Sequence, residues 1–357
     1  MEWIEENRTG SNIAGRNRAI DWIKVIACVG VVCLHTIDRE IAPLNNWLYY
    51  AAGWSIPLFM MSTGFFLFNR EEPLTQTYIT NKILRIFRFC FLWVCVRTGL
   101  NIGMMLIEVG WDFRSVLSML AGIPSDTILS MMQLGSVGVL WYCGSLVLIY
   151  LFAYVFYSRQ MCKWRVWMAC FVCGMVMQVI SYLIHEPVQS LFCQPFRMWT
   201  WLQYSMLGAM MPQITDAVAK RLPLAGHILL TLAAYPLLVS YQVFVGNVLL
   251  RNDYAEYLYD SVSMILIVTV VFSLALRFSQ RAAKKGKTIA SGIAMLSVGV
   301  FPVHGWIYEQ ILRIDLPALP LNYSQICVLH FVVTTGISFA VMAIVSRTRL
   351  KEYLLKI

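Results

Sequence analysis

Lys24 and His35 stand eleven positions apart in DWIKVIACVGVVCLHT, residues 21–36, with no charged side chain between them. On a helix that spacing separates the ammonium and the imidazole by about 16 Å along the axis, at ~1.5 Å per residue. Two such groups can act on opposite ends of one long substrate, or on two substrates. A neutral imidazole takes a proton from a hydroxyl near neutral pH, a range in which no other unperturbed side chain titrates. It can equally tie helices together as a buried, hydrogen-bonded group. Ionisable groups inside an apolar run are costly in a bilayer and mark functional sites by default.

Other residues could share that chemistry. Lys82, Arg85 and Arg88 recur at i, i+3 and i+6, on one broad helical face. They form an anion site, since guanidinium groups bind phosphates in bidentate fashion, or they are the basic flank that topology alone places beside a span. His304 is a second histidine in an apolar run, and Trp141 with Tyr142 opens another as belt aromatics or as part of a site. Asp38, three residues after His35, either orients the imidazole as a carboxylate orients a catalytic base or is a solvated loop residue. Glu309, beside Tyr308, has the same two readings. Cys170 and Cys173 form a C-x-x-C without a second Cys or His pair nearby, so no metal site is expected. There is no G-x-S-x-G, no H-E-x-x-H, no phosphate-cradling glycine loop and no helix of regularly spaced arginines. Their absence argues against a serine hydrolase, a zincin, a nucleotide hydrolase and a voltage sensor.

The elements that must position these groups follow from composition. With 357 residues, 59% hydrophobic and 13% charged, the chain has more apolar surface than a water-soluble domain can hide. It reads as an all-α, polytopic integral membrane protein. Apolar runs of roughly 20 residues number about ten: 20–37, 47–68, 86–107, 136–157, 164–184, 199–214, 224–245, 259–278, 289–312 and 325–346. The ninth is interrupted by Pro302. Residues 116–134, broken by Pro124 and Asp126, read as an interfacial or re-entrant piece. The expected organisation is a polar segment, 1–18, without the apolar core of a cleaved leader, then one membrane domain, 19–347, and a short basic tail, 348–357. The cysteines fall mostly within apolar runs and read as small hydrophobes.

The net charge of +9 does not imply nucleic acid, because the basic residues lie between apolar runs. Of the 28 Lys and Arg, twenty-one fall in the two terminal segments and alternate loops, five in the remaining loops, and Lys24 and Arg97 within spans. The positive-inside rule then predicts that both termini are cytoplasmic. Lys24 and the basic triplet share the cytoplasmic half. His35, His304, Trp141 and Tyr142 share the outer half.

In five places the chain resembles the acyltransferase-3 family of membrane-bound bacterial acyltransferases. The first span is similar to that family's basic-x10-His signature, with Lys24 and His35 in its two fixed positions. PLFMMSTGFFL, residues 57–67, resembles its Ser-Gly-aromatic motif, with Thr63 replacing Ser. Lys82-Ile-Leu-Arg85 resembles its R-x-x-R, Leu140-Trp141-Tyr142 its leucine-tryptophan-aromatic motif, and residues 300–304 its penultimate-span segment ending in histidine. Val139 departs from the pattern, standing where many members carry a histidine.

The resemblance implies a compact member, similar to polysaccharide O-acetyltransferases, in the plasma membrane. Such an enzyme would move an acyl group, acetyl above all, from cytoplasmic acyl-CoA to a hydroxyl of a cell-envelope glycan or similar acceptor. Acyl-CoA would be a substrate rather than a resident cofactor. The expected partners are the bilayer, the donor and an extracytoplasmic acceptor, and not nucleic acid. Lys82, Arg85 and Arg88 would hold the donor phosphates, and His35 would act as general base or acyl carrier. Lys24 would assist along the donor path. His304 would join His35 at the catalytic end, while Trp141, Tyr142, Asp38 and Glu309 would shape the acceptor site. Acceptor choice is expected in residues 108–135, the largest outward loop. The alternative is a transporter for a small solute such as an amino acid, which ten spans with polar groups near mid-membrane also suit, although no inverted repeat is evident.

Overall fold

In a computed structural model of the chain, residues 18–40, 42–70, 74–252, 254–281, 289–314 and 321–355 are described. Apart from Arg18, the polar N-terminal segment lies outside the described residues, as do Lys284, Lys285, Lys287 and Lys356 of the basic clusters. Helices follow one another throughout: α1 (Arg18–Thr36), α2 (Pro43–Ala52), α3 (Ser55–Leu67), α4 (Gln76–Glu108), α5 (Phe113–Met131), α6 (Trp141–Ser158) and α7 (Lys163–Ile184). After these come α8 (Met198–Arg221), α9 (Leu224–Phe244), α10 (Val262–Arg281), α11 (Ile289–Leu312), α12 (Tyr323–Val345) and the single turn α13 (Lys351–Leu354). Among the described residues there is no strand. Eight helices, α1, α4, α6, α7, α9, α10, α11 and α12, are long and apolar enough to cross a bilayer.

Two of the expected spans take another form. Residues 47–68 are not one helix but the pair α2 and α3, broken at Gly53 and Trp54. Pro57 has no N–H to continue the hydrogen-bond ladder, so it belongs in the first turn of a new helix. The Ser55 hydroxyl, donating to the Ala52 carbonyl at 2.6 Å, satisfies one of the groups the break frees. Helix α8 is long, but Gln203, Tyr204 and Ser205 interrupt its apolar character, and all three are buried within the protein rather than offered to lipid. The prolines act less than the sequence suggests: α5 runs unbroken through Pro124, and α11 through Pro302.

Polar ties define two ends of the bundle. At the basic end the Tyr157 hydroxyl donates to the Leu67 carbonyl at 3.0 Å, Lys163 donates to Asn69 at 2.7 Å, and Arg277 meets His227 at 3.2 Å. At the opposite end, which holds His35, Glu108 pairs with Arg313, and the Trp47 indole donates to Ser240 at 3.2 Å. Beside the eight long apolar helices, the broken α2–α3 pair and α8 run between the same ends among the described residues. Helix α5 makes no such pass. It leaves the far end of α4 and finishes at Met131, whose carbonyl packs on Gly144 near the start of α6.

At the centre, α3 lies directly on α8. A Cβ built on Gly64 would stand 1.8 Å from the Ser205 carbonyl oxygen, and one on Gly208 would stand 2.0 Å from that of Met61. Lipid-embedded helices gain little from hydrophobic exclusion, so close backbone approach over small residues supplies the attraction. Gly64→Ala or Gly208→Ala should therefore each destabilise the protein by roughly 1–3 kcal/mol, the usual cost of overpacking. Melting in detergent checks this. Gly99→Ala, at a position with nothing within 4 Å of the added methyl, should melt like the parent or slightly higher.

Candidate active site

Two cavities lie between the helices, one toward each end. The larger, of about 570 Å³, collects Lys24 and Asp21 from α1, Arg70 from beyond α3, and Lys82 and Arg85 from α4. On α4 the residues facing it are Tyr78, Lys82 and Arg85, at i, i+4 and i+7, the spacing of one helical face. The cations rest on aromatic faces: Arg70 lies 4.3 Å over Tyr78 and Lys24 lies 5.4 Å over Phe66. Among the described lining residues, four cations face one carboxylate, an excess of positive charge.

Arg88 does not join them. Two i+3 steps from Lys82 carry it about 120° around the helix, and its guanidinium lies 5.0 Å over Tyr353. Arg70 takes the place expected for it. No local pattern separates Arg70 from the other loop cations, because the contact depends on how α3 and α4 meet.

The smaller cavity, of about 280 Å³, is lined by His35, Arg97, Trp141, Trp306 and Glu309, and also by Glu256, which the sequence did not single out. The His35 ring opens onto it. His304 lies behind His35, with ring centroids 5.1 Å apart, fully buried and on the wall of neither cavity. Its Nδ1 stands 3.2 Å from the Val300 carbonyl, so Nδ1 carries the hydrogen and Nε2 offers a lone pair. That Nε2 has no hydrogen-bond partner among the described residues.

Phe301 lines both cavities. With Phe59 and Tyr142 it forms an aromatic partition, ring centroids 5.7 to 6.3 Å apart. Consecutive residues at the start of α6 divide between the two spaces, Trp141 facing the smaller and Tyr142 the larger. The Thr63 hydroxyl donates to the Phe59 carbonyl at 3.1 Å, which leaves its oxygen to accept from the Tyr142 hydroxyl at 3.3 Å. Thr63 thereby aims the partition.

Asp38 does not orient His35. Helix α1 ends at Thr36, so the i+3 geometry is lost, and the Asp38 carboxylate accepts from the Glu40 N–H at 3.1 Å in the following turn. Glu309 does reach the smaller cavity, where it pairs with Arg97 at 2.6 Å. Val139 also stands on that wall, an apolar side chain beside Trp141. The loop after α5 contributes Gln133 and Ser136. It is held by Asp126, which accepts from the Ser136 N–H at 2.7 Å, and by Ser130, which accepts from the Val137 N–H at 3.1 Å. All ten cysteines are free thiols, and among the described residues no group of three or more His, Cys, Asp or Glu side chains is placed to hold a metal ion.

Fold and site together define a polytopic helical membrane protein with a cation-lined cavity toward one end and a histidine-lined cavity toward the other. The model of a family described as an acyltransferase domain, acyltransferase 3, matches residues 17–347, nearly the whole chain. The chain belongs to that family and is a membrane acyltransferase. No curated protein and no solved structure matches it.

Glu256 lies outside the spanning helices, in the turn Ala255–Leu258, with its side chain 12% exposed. Burial pushes its carboxyl up from the ordinary 4.5 to about 7, against the pull of Arg197, Gln194 and Arg39. Folding therefore favours its protonated form. The associated stability is fully present below about pH 4.5 and is lost as pH rises through about 7. Melting of the parent should fall between those values by more than melting of Glu256→Gln, a difference that a detergent melting series across pH measures directly.

Proposed function

We propose that the enzyme moves an acyl group, acetyl in the first instance, from a coenzyme A thioester held at the basic end to a hydroxyl of a cell-envelope glycan or similar acceptor at the other. The observation that carries this reading is the meeting of the two cavities at Phe301. Lys24, Arg70, Lys82 and Arg85 would hold the phosphates of the donor, and the pantetheine arm would extend toward the partition. A volume of about 570 Å³ lies within the usual ligand range of about 300–1,000 Å³. The positive-inside rule supports a cytoplasmic basic end, where acyl-CoA is available, in the plasma membrane of a bacterial cell.

His35 would take the proton of the acceptor hydroxyl. The oxygen then attacks the thioester carbonyl, the carbon–sulfur bond breaks, and the coenzyme A thiolate receives the proton from the imidazolium. In the other order of events, His35 carries the acyl group briefly before the hydroxyl takes it. His304, packed behind His35, would be a positioning residue: its Nε2, without a partner among the described residues, is available to accept from His35 when that ring carries a second proton. Trp141 and Glu309 belong to the acceptor wall, and Tyr142 to the partition.

Acetyl-CoA binding to the purified protein, followed by calorimetry, tests the donor site. Arg85→Ala should weaken binding about tenfold or more, the loss expected for charge-assisted hydrogen bonds. Arg88→Ala, at a residue resting on Tyr353, should bind like the parent. Absence of binding by both acetyl- and succinyl-CoA would overturn the reading.

A further inference from the structure

Glu256 is a buried carboxylate on a cavity wall, and its surroundings hold it rather than consume it. Gln194 donates to Oε2, while Arg197 Nη1 stands 3.6 Å from Oε1, an ion-pair rather than a hydrogen-bond distance. An ionised carboxylate has about four lone-pair sites, so a hydroxyl in the cavity still finds a place on it. Arg197 has other anchors: its Nε donates to the Phe192 carbonyl at 3.2 Å, and its guanidinium lies 5.5 Å over Tyr257. The segment itself is fixed on the start of α8. The Tyr204 hydroxyl donates to the Tyr259 carbonyl, and Asp260 accepts from Thr200 at 2.7 Å and from the Trp199 indole at 3.1 Å. Overhead, Arg39 lies between Tyr49 and Tyr254, 5.2 and 5.0 Å from their ring centroids.

A buried ion pair is a poor source of stability, since burying its charges costs as much as their attraction returns. A wall facing the general base is a place where a carboxylate has a use. We propose that Glu256 is the specificity-determining residue of the acceptor cavity: its carboxylate takes the hydrogen of an acceptor hydroxyl adjacent to the one presented to His35, and so selects an uncharged, hydroxyl-bearing ring. This rests on the acyl-transfer reading above.

Size and charge support that class of ligand. At about 280 Å³ the cavity stands just below the smallest ordinary ligand pockets, about 300 Å³, which suits one ring. Trp141, Trp306 and Tyr259 on its wall offer flat faces to the C–H groups of such a ring. Among the described lining residues the only guanidinium is that of Arg97, already paired with Glu309. An anionic acceptor would meet Glu256 without a free cation to offset it.

The groups acting on Glu256 are Gln194 and Arg197 before α8, Arg39 after α1, Tyr49 on α2, and Tyr254, Tyr257 and Tyr259 around its own turn. Across the cavity stand His35, Arg97 and Glu309. With its carboxyl raised to about 7, Glu256 is largely neutral one unit below that pH and largely ionised one unit above. The ionised form is the stronger acceptor of a hydroxyl hydrogen. Affinity for the acceptor ring should therefore rise through neutral pH.

The test uses quenching of the cavity tryptophans in the purified full chain, titrated with a panel of neutral methyl pyranosides and with glucuronate, on either side of neutral pH. Binding of a neutral pyranoside should be tighter at the higher pH. It should weaken about tenfold in Glu256→Gln, as for one hydrogen bond to a charged group, with the pH dependence gone. Glu256→Asp should restore part of both. Acetyl-CoA binding, read by calorimetry in the same variants, should equal that of the parent, which shows that the Gln and Asp forms are folded. Preference for glucuronate, equal pyranoside binding in parent and Glu256→Gln, or no binding by any of the panel would each overturn the proposal. Failure of the parent to bind acetyl-CoA would instead overturn the acyl-transfer reading on which it rests.

Discussion

A charged side chain inside a bilayer must face water, a ligand or an opposite charge, because lipid offers it nothing. Lys24, Lys82 and Arg85 sit on long, largely apolar helices, and all three turn toward one internal space. His35 and Glu256 turn toward another. The helices are arranged so that each of these groups has a cavity, and Phe301, packed on Phe59 and Tyr142, lines both. The partition is an apolar barrier with polar chemistry on both sides. An enzyme that joins a donor from one face to an acceptor from the other needs that arrangement, so that water and ions do not follow.

The barrier depends on helices that approach closely without hydrophobic force. The contact of α3 with α8 over Gly64 and Gly208 fixes α3, and with it Phe59 and Thr63. Thr63 in turn holds Tyr142. Packing at the centre of the bundle is thus coupled to the geometry of the passage through one hydroxyl. The glycine of the Thr63-Gly64-Phe65 motif and its hydroxyl serve different ends: one sets helix distance, the other aims a ring.

What could be read in the sequence was what one helix determines alone. Lys24 and His35 are joined by a single unbroken helix, so the expectation that they serve separate spaces needed only the rise per residue. Lys82 and Arg85 were legible for the same reason. Arg88 was not, because two steps of three residues drift around the helix until the side chain leaves the cavity. Of the two readings of Asp38, the loop residue holds, because the end of α1 falls between it and His35. Residues 47–68 look like one span by composition, and only Gly53 and Pro57 mark the break. Glu256 and Arg70 were invisible as site residues: each lies in a connection, and reaches its cavity through contacts between elements distant in sequence. Local periodicity carries no information about such contacts.

On the acyl-transfer reading, the basic cavity and the histidine cavity belong to one catalytic path. This shared path is tested most directly by measuring acyl-CoA consumption in membranes from the producing cells, for the parent and for His35→Ala, alongside donor affinity in the purified proteins. His35→Ala should bind acetyl-CoA as the parent does but release no coenzyme A above the background of membranes lacking the protein. Turnover undiminished in that variant would contradict the shared path, and so would loss of donor binding in a folded His35→Ala protein.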